Sequence, residues 1–253
     1  MLLKTLIKNL PIKKKNIEVK GLAANSKKIK KNYIFFAIKG NRLNGEKYIN
    51  EAIDKGAIAI VCSKSCKYTN KKIPIIKTKR IRFFLSKISS KFYKFKPKNI
   101  IAVTGTNGKT SVADFFYQIL KLNNIRVSSI GTLGIKHKKK IIKSELTSPD
   151  TIMIHQILDK IKKDKVNNVI IEASSHGLAQ KRMDHLNFKA GIFTNFSQDH
   201  LDYHKTMQSY FKAKMHLFEN ILAKKKIIIL DKSIKEFEKL RKISKKRKLR
   251  LID

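Results

Sequence analysis

The chain is poor in features that define several whole classes of protein. It carries only two cysteines, Cys62 and Cys66. So few thiols exclude a disulfide-built scaffold and point to a reducing compartment. Their C-x3-C spacing, without a second pair of ligands, is a weak metal signal. No apolar run approaches the ~20 residues that a membrane-spanning helix requires. The N-terminal stretch "MLLKTLIKNLPIKKKN" has no apolar core long enough for a signal peptide. The expectation is a cytoplasmic protein with no membrane partner. Acidic residues are scarce as well: 18 Asp and Glu stand against 58 Lys and Arg, a formal charge of +40.

Such an imbalance raises nucleic acid as a partner. The distribution of the charge argues otherwise. The lysines spread along the whole chain instead of forming one arm, and Arg, the better fork for phosphates and bases, is scarce. The excess reads as compositional drift, with no specific nucleic-acid partner, although it still draws in anionic substrates such as nucleotides.

What is present is globular. Of 253 residues, 42% are hydrophobic, enough for one large domain or two modest ones, each with a sizeable core. The spacing predicts strands at "YIFFAI" (33–38), "AIAIVCS" (57–63) and "KIPIIKT", and a helix at "YINEAIDKG" (48–56) closed by its glycine. A helix over "RIRFFLSKISSKFYKF" is expected to stop at Pro97. Beyond it come the buried-strand signals "NIIAVTG", "NNVIIEAS", "AGIFTNFS" and "KKIIILDKS". Between the first two, a helix is predicted from Thr110 to Asn123, with Val112, Phe115, Phe116, Ile119 and Leu120 on its apolar face. The basic tail "KKISKKRKLRLID" reads as a helix end running into a strand. Strand alternating with helix implies a doubly wound parallel sheet. The expected fold class is α/β, with domains over 1–97 and 98–253.

The chemistry concentrates after Pro97. In "VTGTNGKTSVADFF" a buried strand, a glycine turn and a helix start follow one another. Only two residues separate Gly105 from Gly108-Lys109-Thr110, shorter than the common phosphate-loop pattern. The context is nevertheless that of a phosphate cradle. Gly105 and Gly108 let the backbone approach phosphates and turn N–H groups toward them, Lys109 offers charge, and the Thr110 hydroxyl offers a Mg²⁺ ligand. Ligands of open parallel sheets sit beyond the carboxyl ends of the strands. There the sequence places Glu172, a carboxylate suited to Mg²⁺, followed by Ser174, Ser175, His176, Gln180 and Arg182. A later strand end carries Asn195, Asp199, His200, Asp202 and His204. The His200–His204 spacing also suits zinc, although a nucleotide site favours the harder cation. Lys212 and Lys214, in the helix "SYFKAKMHLFENIL", read locally as surface lysines whose stems lie along the core edge.

In order, "GTNGKTS", "TSPD", "EASSHGLAQKR", "FTNFSQDHLDYH" and "YFKAKMHLF" resemble the Mur ligases, most closely the members that add the third residue of the peptidoglycan stem peptide. "NSKKIKKNYIFFAIKGNRLNGEKYINEAIDKGAIAIV" is similar to their uridine-binding domain, so the resemblance covers nearly the whole chain. It implies a small N-terminal uridine-binding domain and a central ATPase domain of the P-loop type. The implied activity is ATP-dependent addition of meso-diaminopimelate or L-lysine to UDP-N-acetylmuramoyl-L-alanyl-D-glutamate through an acyl phosphate, with ATP and Mg²⁺ as cofactors and the protein a monomer. By match, residues 105–111 serve ATP, Lys109, Lys214 and His200 act in catalysis, and Thr110, Glu172 and His200 hold magnesium. Lys214 falls where the family carries a carbamylated lysine, which would act as a further, carboxylate-like metal ligand. Thr147, Ser148, Ser174, Gln180 and Arg182 match holders of the UDP-muramyl dipeptide, and Ser26 matches the uridine-site serine. Lys27 stands where the family usually shows Arg. The resemblance also leads one to expect a third, C-terminal domain beyond Asp253. A nucleotide- or UDP-sugar-binding module without turnover is the competing expectation.

Overall fold

A computed structural model describes residues 1–7, 16–40, 43–138, 140–143 and 146–253. They form two compact units, Met1–Phe92 and Tyr93–Asp253.

The first unit contains helix α1 (Leu3–Leu6), strands β1 (Gly21–Ala23) and β2 (Tyr33–Phe36), helix α2 (Ile49–Asp54), strands β3 (Ala57–Ser63) and β4 (Ile75–Thr78), and helix α3 (Ile81–Phe92). The four strands lie in parallel in chain order. Phe35, Ile49, Ala52 and Ile60 pack one side of the sheet. Gly56 ends α2 with φ of 94°, a left-handed turn that also brings the backbone close to Lys31. Helix α3 ends at Phe92, well before the proline expected to stop it. The following backbone is claimed elsewhere: the Phe95 N–H donates to the Asp159 carboxylate at 2.9 Å, and the Lys96 ammonium donates to the Tyr93 carbonyl.

The second unit is a single sheet with helices on both faces. It comprises β5 (Asn99–Thr104), α4 (Lys109–Leu122), β6 (Val127–Gly131), β7 (Gly134–His137), β8 (Lys140–Ile142), α5 (Thr151–Lys163), β9 (Asn168–Glu172), α6 (Ser175–Ala179), β10 (Ala190–Phe193), α7 (Leu201–His204), α8 (Met207–His216), β11 (Ile227–Ile229), α9 (Phe237–Arg247) and β12 (Arg250–Ile252). The strand order is β12-β11-β10-β5-β9-β6-β7-β8. Pairing is parallel from β12 to β6 and antiparallel across β6–β7–β8. Alternate residues of the central strands face opposite cores. Ile100, Ala102, Val169 and Ile171 join one apolar cluster, whereas Val103 and Ile170 join the cluster under α4. The doubly wound parallel sheet is therefore present, with an antiparallel hairpin and the helix α5 that local patterning had not indicated. Among the described residues no helix is long and apolar enough to cross a membrane.

The apolar face expected on α4 is turned. Ala113 and Tyr117 are its buried residues, Val112 and Phe116 are half-buried, and Phe115 and Ile119 are 62% and 59% exposed. Ala113 lies in the cluster with Val103 and Ile170 of the sheet, with Val112 and Phe116 packed against it, and the Phe115–Ile119 stripe lies beside this contact line.

Candidate active site

Strand β5 delivers the chain to Gly105 at its carboxyl end, and Gly108 caps α4 with a φ of 80°. A side chain at Gly105 has no room, because its Cβ would lie 1.9 Å from Thr194 Oγ1. The loop rests on the segment after β10. The Thr106 N–H donates to the Asn195 carbonyl and the Asn107 N–H to Asn195 Oδ1, both at 2.9 Å, while the Thr194 hydroxyl donates to the Asn107 carbonyl at 2.6 Å. Thr106 is buried. Its hydroxyl donates to the Ser197 carbonyl (3.2 Å) and accepts from the Ser197 N–H (3.0 Å) and the Tyr210 hydroxyl (3.2 Å). These bonds fix the turn and leave the first N–H groups of α4, which no helix can satisfy internally, at its mouth.

Two lysines converge on the loop. Lys109 Nζ donates to the carbonyls of Gly105 (3.1 Å) and Thr106 (2.6 Å), and Lys214 Nζ, from α8, donates to the same Gly105 carbonyl at 2.5 Å. Burial lowers the pKa of both. Repulsion from Lys109 adds to the effect at Lys214, bringing it to about 7, against a partial pull upward from Asp199. Lys214 is 1% exposed. It is not the surface lysine of its local reading, whereas Lys212 is exposed.

Glu172 is the hub. It ends β9, is buried, and accepts from the Thr110 hydroxyl (2.9 Å), the Thr132 N–H (2.8 Å) and the Thr132 hydroxyl (3.1 Å). Its own carbonyl accepts from the Ser148 hydroxyl at 2.8 Å. A Cβ on Gly131 would stand 2.0 Å from Glu172 Oε1, so the end of β6 must be glycine for the carboxylate to lie there. Among the described residues Glu172 forms no ion pair. A buried carboxylate with no direct counter-ion is costly, and the nearby Lys109 ammonium offsets only part of that cost. An all-oxygen set of Glu172 and Thr110 beside a phosphate loop therefore fits a hard divalent cation.

From Glu172 a polar network runs through the residues matched to the second substrate. With their own protons on Glu172, the Ser148 hydroxyl accepts from the Ser174 hydroxyl (2.9 Å) and the Thr132 hydroxyl from the Thr147 hydroxyl (3.2 Å). Ser174 also caps α6 through the Gly177 N–H. Arg182 Nη1 donates to the Ser148 carbonyl (2.6 Å) and its Nη2 to Gln180 Oε1 (2.9 Å), while Gln180 Nε2 donates to the Tyr203 hydroxyl (3.1 Å). Ser26 belongs to the first unit. There it donates to Glu51 Oε2 at 2.9 Å and lines, with Asn25, Lys27, Phe35 and Tyr48, an open cavity of about 390 Å³.

His200 is not among the hydrogen-bond partners of Glu172. Its ring packs 4.9 Å from that of His176 and 6.0 Å from that of Tyr210, and Nε2 lies 3.4 Å from Asp199. The ring of His204 packs 5.4 Å from that of His176. Burial, then the neighbouring imidazoles of His176 and His200, lower the His204 pKa to about 4. Among the described residues no three His, Cys, Asp or Glu side chains group as metal ligands. The zinc alternative for His200 and His204 therefore has no ligand set. Thr132, Thr194 and Tyr210 were missed by local reading. Thr132 had a findable signal, since it directly follows a strand end, the same rule that pointed to Glu172.

The sheet, the turn at the end of β5 and the carboxylate on the neighbouring strand define a P-loop-type α/β domain. Two family models match the sequence: the Mur ligase middle domain over residues 103–253 and the Mur ligase family catalytic domain over residues 18–93. The chain belongs to the Mur ligase family. It is 42% identical to the UDP-N-acetylmuramoyl-L-alanyl-D-glutamate–2,6-diaminopimelate ligase of Aquifex aeolicus, over 84% of this chain and 44% of that protein. To the ligase of the same name from Rickettsia bellii it is 40% identical, over 92% of this chain and 49% of that protein. It thus spans about half the length of these curated relatives. A solved structure bearing that ligase name superposes with a TM-score of 0.80 at 23% identity, covering all of this chain and 52% of the other. The MurF ligase of Thermotoga maritima in complex with ADP gives 0.59 at 19% identity, covering 91% of this chain and 49% of that one.

Proposed function

We propose that this chain carries the nucleotide and UDP-substrate sites of an ATP-dependent ligase. The ligase adds the third amino acid to UDP-N-acetylmuramoyl-L-alanyl-D-glutamate, and the relatives' name favours 2,6-diaminopimelate as that residue. The reading rests chiefly on Glu172. Its side chain holds the phosphate loop through Thr110, and its backbone holds Ser148 of the substrate network.

In this reading the N–H groups of Gly108–Ser111 and the Lys109 ammonium receive the β- and γ-phosphates. Glu172 and Thr110 would hold Mg²⁺, with His200 assigned as a further ligand by its match to the family; the cation, when bound, would neutralise phosphate charge. Lys214 is carbamylated, which its burial favours, because only the neutral amine adds to carbon dioxide. Ser148, Ser174, Gln180 and Arg182 aim the terminal carboxylate of the muramyl dipeptide, with Ser26 on its uridine. A carboxylate oxygen attacks the γ-phosphorus and ADP leaves. The incoming amine nitrogen then attacks the acyl carbon, and the tetrahedral species expels phosphate as the amine loses a proton to solvent. The protein's contribution is alignment and charge balance between two anions.

Calorimetry on this chain separates the two halves of the site. Lys109→Ala is expected to weaken ATP binding about a hundredfold and leave UDP-muramyl-dipeptide binding unchanged, and Arg182→Ala to do the reverse. Equal losses of both ligands in both variants would refute the division.

A further inference from the structure

A second concave site lies at the opposite edge of the same sheet. The phosphate loop follows the carboxyl end of β5, whereas an open cavity of about 400 Å³ sits where the parallel strands β6 and β9 begin. Its apolar walls are Tyr117, Ile125, Val127 and Val166, and its rim carries Lys121, Arg126, Lys138 and Asp164. The size is that of an ordinary small-molecule pocket.

The one carboxylate is already neutralised. Asp164 Oδ2 lies 2.7 Å from His137 Nε2, and Oδ1 lies 2.9 Å from Lys138 Nζ. His137 is held in turn by the Ser128 hydroxyl, 2.8 Å from Nδ1. This Ser–His–Asp chain is a brace and not a nucleophile relay, because Ser128 is 0% exposed and no substrate reaches its hydroxyl. It pins the carboxylate to the cavity edge. Lys121 and Arg126 form no ion pair among the described residues; the Lys121 ammonium lies over the Tyr117 ring at 5.9 Å. Cations are common on this surface, but here they rim an apolar hollow.

From this arrangement we infer that the cavity is a second anion site, taking small molecules that join an apolar ring or chain to a phosphate or carboxylate group. The apolar part enters between Ile125, Val127 and Val166, and the anion meets Arg126 and Lys121. The site is independent of the phosphate loop.

The test is calorimetric titration of the 253-residue chain with 1-naphthyl phosphate, with saturating ATP and Mg²⁺ and without. Saturable binding with one ligand per chain is expected, unchanged by nucleotide and weakening as salt rises. Lys121→Glu combined with Arg126→Glu is expected to weaken it at least about tenfold, and Arg126→Gln alone about threefold, with unfolding temperatures kept. In amide NMR spectra the Val127 and Val166 signals move on titration. Displacement by ATP, equal affinity in the charge variants, inorganic phosphate binding as tightly as the naphthyl ester, or no saturation below about 1 mM would each overturn the inference.

Discussion

Acid should destabilise this protein through one residue outside the candidate site. His155 is fully buried on α5, and neither ring nitrogen has a hydrogen-bond partner among the described residues. Burial, reinforced by the positive charges of Lys96 and His185, lowers its pKa from 6.5 to about 3. The fold therefore holds the neutral imidazole, while the unfolded chain takes up a proton near 6.5. Stability from this group is full above that value and is lost as pH falls toward the folded pKa. Each pH step below 6.5 costs 1.36 kcal/mol, so the loss from His155 is about 2 kcal/mol at pH 5 and about 3 kcal/mol at pH 4. His155→Leu keeps an apolar group of similar bulk and cannot titrate. Urea denaturation of both proteins at pH 7.5 and pH 5, followed by circular dichroism, isolates the effect, because every other titrating group is common to both. The parent should lose about 2 kcal/mol more than the variant between the two pH values. Equal losses would show that His155 is hydrated or partnered in solution, and the reasoning from its burial would fail.

Three further outcomes probe the site. Gly131→Ala puts a methyl group 2.0 Å from Glu172 Oε1 and must displace the carboxylate. Mg²⁺-dependent ATP affinity is expected to fall about tenfold or more in calorimetry, and unchanged affinity would remove Glu172 from the metal site. Thr106→Val deletes the hydroxyl that serves Ser197 and Tyr210, at a cost of about 2 kcal/mol, or roughly 4–8 °C in Tm; a smaller shift would mean that the loop anchors elsewhere. For Lys214, with its pKa near 7, carbon-13 NMR after equilibration with labelled bicarbonate at pH 8 should show a carbamate resonance that fades below pH 7 and disappears in Lys214→Ala. A resonance that survives the substitution would place the carbamate on another amine.

Much of this protein was legible along the chain because its elements obey local rules. An unbroken apolar run such as Ile100–Val103, inside the strand Asn99–Thr104, reads as a buried strand of a parallel sheet. Glycines at 105 and 108 ahead of Lys-Thr require a tight turn before a helix, and a carboxylate ending an apolar strand falls at the ligand edge of such a sheet. The order of five short motifs was enough to indicate the family.

Other features depend on what lies across space, and local pattern is silent there. The α4 stripe of Phe115 and Ile119 has helical spacing, yet Ala113 and Tyr117 are the buried residues, since the side that docks on the sheet is set by the neighbouring strands and not by hydrophobicity alone. Lys214 reads as a surface residue until the fold places it on the Gly105 carbonyl, 109 positions away in sequence. The same holds for Thr194 and Tyr210, whose partners Asn107 and Thr106 lie 87 and 104 positions away. Periodicity along the chain decides which elements form, because it is set by backbone geometry. Which side chains share a charge, a hydrogen bond or a cavity is decided only when those elements dock, because desolvation and pairing energies depend on neighbours that sequence distance does not reveal.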